Sequence, residues 1–319
     1  MPSLKAAVAV TDEGWFEHFR PRDWRTKEDE VNFWRPMSQQ RFGALEPGGP
    51  FFFRLGAPVR AIVGFGFFAA TTAMSIETAW EVFGEKVGAP DLPSFAERLS
   101  SMRRRLGGTP GHATRLLSCL ILRDAVFLPS NEWISWGRAE GWSDRQVRYQ
   151  GYDLTTAPGD RLAELLRVSG GPTPPDLVGS FAPAFADART FREGRHVKRE
   201  AQGTFRVRLL QAYGNQCAVT REHALPVLDA AHITPYLGAH SNHIQNGLVL
   251  RADLHRLYDD GYITVTPDLR LEVSRRLKDE FENGKVYYEM AGREVAVPSR
   301  PELRPSAAAL EWHAETVFR

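Results

Sequence analysis

Cysteine is scarce in this chain. Cys119 and Cys217 are the two among 319 residues, and they stand far apart. That excludes a disulfide framework and leads to the expectation of a reducing, cytoplasmic setting. Long apolar runs are missing as well: the longest, Ala57 to Met74, is interrupted by Arg60, Gly64 and Gly66 and is too mixed to span a bilayer. The opening MPSLKAAVAVTDEGWFEHF has a weak apolar run broken by acids, so no signal peptide and no membrane partner are expected. Nor is there an excess of charge of one sign. Forty basic residues face thirty-nine acidic ones, so any affinity for phosphates has to come from local clusters. What the chain does have is length and 43% apolar content, enough for two domains with cores of their own.

The chemistry concentrates between Cys217 and Asp259. Residues 225–233 (LPVLDAAHI) read as a short apolar strand, 246–250 (NGLVL) as a second strand entered through a polar loop, and 251–259 as the start of a helix. Two strands and a helix gather His232, Asn246 and His255. Singly, each has an ordinary reading: a satisfied core histidine, an Asn-Gly turn, a helix-face histidine. Together they suit phosphodiester hydrolysis, which needs a base to activate water and a cation to neutralise charge on the phosphate and the departing oxygen. Neutral imidazole at His232, with an unperturbed pKa of ~6.5, suits the first task. His255 and a nearby carboxylate suit the second.

The order and spacing of His232, Asn246 and His255 resemble the site of HNH nucleases, over roughly residues 200–275. The resemblance implies a ββα-metal fold in which His232 is the general base, Asn246 fixes the loop holding that base, and His255 is a metal ligand on the helix. Many members place an acid directly before the first histidine, where this chain has Ala231. Asp229 lies on the same side of the strand as Ala231, because side chains alternate, and is expected as the second metal ligand. Oxygen and imidazole donors at an open site suit Mg2+ or Mn2+, with Ni2+ or Co2+ able to substitute. Many relatives also carry two CxxC pairs around a structural zinc. Here Cys217 remains, with Thr220, Arg251 and Leu254 at its partners' places, so no structural zinc is expected. Asp253 and Asp259 read as a helix surface charge and a helix end.

The N-terminal half is dense in aromatics. A strand is expected at 4–10, strands at 51–55 and 60–69, helices at 75–87 and 93–106, and another strand at 116–122. Gly64 and Gly66 within a strand point to a bulge or a close approach. NFWRP at 32–36, GALEPGGPFFFRL at 43–55 and AIVGFGFF at 61–68 resemble the PUA-like group of domains, which includes the EVE, ASCH and SRA modules. That resemblance implies a domain that holds a modified base in an aromatic pocket, at the cost of unstacking it from the duplex. Trp34 is the first candidate for the pocket, then Phe33, Phe67 and Trp80, with Trp15 folding over it and Trp133 and Trp136 at its rim; each also suits a barrel core.

Residues 168–188 are rich in Gly, Pro and Ala and read as a linker. Arg189, Arg192, Arg195, Lys198 and Arg199 follow at helical spacing, as one basic stripe suited either to solvent or to backbone phosphates. Residues 203–213 read as a helix behind the nuclease motif, GYITVTPDLRLEVS as a hairpin, the next segment as another hairpin, and 305–318 as a final helix.

The expected architecture is α+β. A PUA-like curled β-barrel with flanking helices occupies 1–165, a linker and basic stripe 166–195, and a ββα-metal HNH nuclease domain 196–319. The two resemblances imply a modification-dependent, type IV-like restriction endonuclease of the bacterial cytoplasm, guarding against phage with altered cytosines. Its partner is double-stranded DNA carrying a modified base, and a homodimer is expected because a duplex needs two cuts. Two other readings stay open: an HNH endonuclease indifferent to modification, and a non-catalytic DNA-binding protein on an HNH scaffold.

Overall fold

The computed structural model of the chain describes residues 5–20, 25–35, 42–105, 116–143, 149–169, 183–185, 187, 190–192, 196–198 and 201–319. The chain divides into two units, Met1–Pro175 and Asp176–Arg319. It is a mixed α+β protein. Among the described residues, no helix is long and apolar enough to cross a membrane.

In the first unit the chain runs β1 (Lys5–Thr11), α1 (Glu13–Phe19), β2 (Thr26–Arg35), β3 (Pro50–Leu55), β4 (Ala61–Ser75), α2 (Ile76–Phe83), α3 (Leu92–Arg105), β5 (Leu116–Phe127), β6 (Ile134–Ser135), β7 (Tyr149–Asp153) and α4 (Gly159–Val168). The seven strands form one sheet in the order β2-β5-β4-β3-β1-β7, with β6 added to β4. β1 runs parallel to β3, while the other ladders are antiparallel. β3, PFFFRL, is buried at every position, as a strand covered on both faces must be. β4 and β5 run beyond the expected 60–69 and 116–122, because Gly64 to Ser75 pairs with Leu116 to Phe127. Cross-strand pairing there outweighs the weaker local preference of the polar residues at the strand ends. At Gly64 an added Cβ would sit 2.4 Å from the Val126 carbonyl oxygen, and the ladder shifts register between Phe65 and Phe67. The glycine is there for a close approach beside a bulge. Side-chain caps start three helices: Asp12 accepts from the Trp15 amide at 3.0 Å, Ser75 from the Thr78 amide at 3.1 Å, and Asp91 from the Ser94 amide at 2.7 Å.

In the second unit the order is β8 (Thr190–Arg192), β9 (His196–Lys198), α5 (Gln202–Ala212), β10 (Leu228–His232), β11 (Gly247–Arg251), α6 (Ala252–Asp259), β12 (Ile263–Val265), β13 (Leu271–Val273), α7 (Arg276–Phe281), α8 (Lys285–Tyr288) and α9 (Ala307–Thr316). β10 and β11 pair antiparallel from Leu228↔Arg251 to His232↔Gly247, and α6 follows at once. α5 packs on both strands so closely that a Cβ on Gly247 would lie 2.7 Å from Leu209 and 2.8 Å from Phe205. Gly247 is extended, at φ −140° and ψ 149°. Contact with α5, rather than a turn, calls for glycine there. The final helix α9 is capped by Ser306 and lays His313 flat on Tyr258, with ring centroids 3.6 Å apart.

Two expectations about this unit are corrected. The basic stripe is not helical: Arg192 and Lys198 lie on β8 and β9, which pair through Phe191↔Val197, so cross-strand hydrogen bonds take the place of helical ones. Arg189, Arg195 and Arg199 lie outside the described residues. The segment expected as a last hairpin instead winds into α8 after Gly284, whose φ of 103° redirects the chain. Tyr288, on that helix, donates its hydroxyl to the Ser274 carbonyl at 2.9 Å.

Candidate functional site

β10 presents Asp229 and His232, and α6 presents His255. The imidazole of His255 has a carboxylate at each nitrogen: Asp229 Oδ2 lies 3.3 Å from Nδ1, and Asp259 Oδ2 lies 3.4 Å from Nε2. Arg206 of α5 completes the group. It donates to the Leu228 carbonyl at 2.6 Å and stands 3.4 Å from Asp229 Oδ1. Burial pulls the His255 pKa down, but the hydrogen bond to Asp229 and the charges of Asp259 and Asp229 outweigh it, and the net shift is upward. Asp229 is held below the usual carboxylate range, first by the hydrogen bond from His255 and then, against burial, by the charges of His255 and Arg206.

His232 sits at the end of β10. Its ring stacks on Phe205 at 4.3 Å and 13°, and its Nε2 lies 3.0 Å from Asn242 Oδ1. Phe205 and Arg206 are neighbours on α5, so one helix supports both the His232 ring and the Asp229 carboxylate. Asn246 is wholly buried. Its Oδ1 accepts from the Thr234 amide and hydroxyl, each at 2.9 Å, and its Nδ2 donates to the Ser241 carbonyl at 3.0 Å and the Thr234 carbonyl at 3.3 Å. Its side chain therefore ties the chain just after His232 to the loop carrying Asn242.

Asp259, Asn242, Phe205 and Arg206 had not been assigned to the site from sequence. Asp259 had a signal, since it stands four residues after His255 on a helix. Asn242 had none, because a loop decides its position. Asp253 belongs elsewhere: it pairs with Arg251 at 2.6 Å and accepts from Tyr287 at 3.2 Å. Cys217 is buried and its Sγ accepts from the Thr220 amide at 3.5 Å. Among the described residues, no group of three or more His, Cys, Asp or Glu is arranged to hold a metal ion. Asp229 and Asp259 meet opposite nitrogens of the His255 ring, so the two carboxylates do not converge on one point beside it.

Residues 217–266 match the HNH endonuclease family. The matched segment runs from Cys217 through β10, β11 and α6 to just past β12, and so contains His232, Asn246 and His255. Among solved structures, the ASCH protein of Zymomonas mobilis is similar at 13% identity and TM-score 0.33, over 50% of this chain and 94% of that one. A point mutant of the same protein gives 14% and 0.34, over 52% and 99%. A modification-dependent restriction endonuclease, TagI, is similar at 13% identity and TM-score 0.28, over 98% of this chain and 81% of that one. At these scores the structural likenesses carry no functional assignment. No curated protein matches the chain.

The first unit has a cavity of about 1150 Å3, bounded by β1, β2, β3, α3 and the loops beside them. Trp15, Phe33 and Trp34 are in its wall, with Phe42, Tyr149, Asp12 and Arg98. Trp15 and Trp34 are nearly enclosed, at 1% and 6% exposure, and donate their indole N–H to the Asn32 carbonyl at 3.1 Å and the Val87 carbonyl at 2.8 Å. Phe67 lies in a core cluster with Phe52 and Val126. Neither it nor Trp80 of α2 lines the cavity. Trp133 and Trp136 likewise use their indole N–H groups internally, on the Leu128 carbonyl and the Tyr152 hydroxyl.

Proposed function

We propose that this chain is a divalent-metal-dependent DNA endonuclease whose cutting is gated by a modified base, modified cytosine first. The observation that carries the reading is the Asp229–His255 pair, held by a strand–strand–helix frame inside the segment that matches HNH endonucleases. His232 takes a proton from the attacking water. Stacking on Phe205 holds its ring, and Asn246 holds the loop beside it. Asp229 and His255 would hold the cation, and a hard carboxylate oxygen with one imidazole fits Mg2+ or Mn2+, which keep several waters and need few protein ligands. Such an ion supplies Lewis-acid stabilisation of charge on the phosphate and the leaving oxygen. Arg206 keeps Asp229 ionised and oriented. The basic residues between 189 and 199 supply backbone attraction that weakens with salt.

In the same reading the cavity of the first unit receives the flipped base. Phe42 and Tyr149, whose rings meet at 5.0 Å, join Phe33 as its aromatic wall, and Asp12 and Arg98 supply polar edges. A homodimer places one site on each strand of the duplex. A second reading, cutting without a modified base, is favoured by one observation: the indole edges of Trp15 and Trp34 are already spent on backbone carbonyls. The deciding experiment is cleavage of one phage DNA in plain, 5-methyl and 5-hydroxymethyl cytosine forms with Mg2+ or Mn2+, alongside His232→Ala. Cutting confined to a modified form and lost in the variant supports the proposal. Equal cutting of all forms supports the second reading, and no cutting with any form leaves DNA binding without catalysis.

A further inference from the structure

We propose that the base received by the cavity of the first unit carries a hexose-sized, hydroxyl-rich substituent, recognised by the face of α3 that bears Glu97 and Ser101. The inference rests on the reading of that cavity as the seat of a flipped base, and names the modification that fits it. Size is the first observation. At about 1150 Å3 the cavity exceeds the ~300–1000 Å3 in which drug-sized ligands bind, and a cytosine with a methyl or hydroxymethyl group is a small ligand on that scale. Such a base, resting on Phe33, Phe42 and Tyr149, leaves most of the space to water.

The walls differ in chemistry. Phe33 of β2, Phe51 of β3 and Leu120 of β5 form an apolar side on the sheet. α3 lines another side with Ser94, Glu97, Arg98, Ser101 and Met102, which recur at steps of three and four and so share one face of the helix. From Ser94 to Ser101 that face is about 10 Å long, at ~1.5 Å per residue, longer than one pyrimidine ring. Part of it is engaged: the Ser94 amide donates to Asp91, while Arg98 donates to the Gly88 carbonyl and stands 3.8 Å from Asp12 Oδ1. The side chains of Glu97 and Ser101 have no partner among the described residues, and Glu97 is exposed.

An ionised carboxylate only accepts hydrogen bonds, so what meets Glu97 must donate. A methyl group has no donor, and the cytosine N4 amine is common to plain and modified bases. A hydroxymethyl group has one O–H, whereas a hexose has several on a second ring that extends along the helix face. Charge narrows the choice further. Arg35 and Arg98 share the lining with Glu97, Asp12 and Glu13, so a cationic amine would meet two guanidinium groups and an anionic substituent three carboxylates. Neutral hydroxyls suit both, donating to the one and accepting from the other.

Binding is measured on His232→Ala, which leaves the first unit intact, so the answer does not depend on cleavage. One hydroxymethylcytosine duplex is used as made and after enzymatic transfer of glucose from UDP-glucose, beside the plain-cytosine duplex, in a gel shift at fixed salt. The glucosylated duplex is expected to bind about tenfold tighter than its hydroxymethyl parent, the scale of one hydrogen bond to a charged group. Glu97→Ala should abolish that gain and Ser101→Ala reduce it about threefold, with thermal unfolding by circular dichroism unchanged in both. Equal or weaker binding of the glucosylated duplex overturns the proposal, while a retained preference for hydroxymethyl over plain DNA keeps the modified-base reading. Equal binding of all three removes that reading as well. A glucose preference that survives in Glu97→Ala takes the recognition away from α3 and overturns the role given to it.

Discussion

Asp259 and Asp229 flank the imidazole of His255, and that arrangement makes the two carboxylates separately testable. With the cation on Asp229 and His255, Asp229→Asn is expected to weaken Mn2+ binding about tenfold in a calorimetric titration, within the range for groups that hold or orient ligands, and Asp259→Asn, at the opposite ring nitrogen, to change it little. A tenfold loss in Asp259→Asn with none in Asp229→Asn would move the ion to the other edge of the ring. His232→Ala is expected to lower kcat about a thousandfold while DNA binding in a gel shift is preserved, because a general base contributes to the chemical step and not to docking. Asn246 differs from both. Its four hydrogen bonds are all internal, so Asn246→Ala leaves buried polar groups unsatisfied and destabilises by about 1–3 kcal/mol as well as slowing cleavage.

At the scale of elements, α5 and α9 do the supporting. α5 reaches β11 at Gly247, and the residues it presses there, Phe205 and Leu209, leave no space for a methyl group. Gly247→Ala is expected to cost about 1–3 kcal/mol in a denaturant melt, as over-packing does. It should also cut activity out of proportion, because Phe205 is the ring on which His232 stacks. α9 is pinned by His313, buried at 2% exposure, bonded to Thr264 Oγ1 at 2.9 Å and the Tyr258 carbonyl at 3.1 Å. Burial pulls its pKa down to about 4, from ~6.5 in an unfolded chain. The neutral form is thus favoured by folding. Its stabilisation is complete above pH ~6.5 and is lost as pH falls toward 4, to a total of up to ~3 kcal/mol. Unfolding midpoints of wild type and His313→Phe between pH 7 and 4 should converge as the pH falls; parallel curves would show that His313 does not titrate in this way.

At the scale of the molecule, the proposal joins a base-reading cavity in one unit to a cutting site in the other. Tyr149 lines the cavity and is only partly buried, so Tyr149→Ala is expected to spare the fold and the Mn2+ affinity. It should reduce the preference for modified over plain DNA by about tenfold, the scale of one lost stacking contact. Equal discrimination by variant and wild type in the same cleavage assay would take the cavity out of the reading. With a net charge near +1, the molecule has no overall attraction for DNA. Binding should nevertheless weaken steeply with salt, through local basic clusters.

Much of the nuclease frame was legible in the chain itself. LDAAH and NGLVL carry apolar patterns that become β10 and β11, ADLHRLYD becomes α6, and the spacing of His232, Asn246 and His255 follows from local chemistry. In the first half, PFFFRL and AIVGFGFF likewise declare strands, while the full lengths of β4 and β5 come from their pairing with each other. Other features had no local signature. The run of cations after Arg189 has helical spacing, yet Arg192 and Lys198 sit on strands, because the backbone pairs in a ladder with Phe191 opposite Val197 in register. The aromatics of the first half declare a core but not which rings border a cavity, since that depends on which indole N–H groups the backbone claims. Asn242 meets His232 only because the intervening loop closes on Asn246. Periodicity and spacing act within a few residues, so the sequence by itself determined the strands, the helix and the identity of the chemical groups. The partners of those groups lie ten to twenty-six residues away, as in Asn242 with His232 and His255 with Asp229, and only tertiary packing decided them.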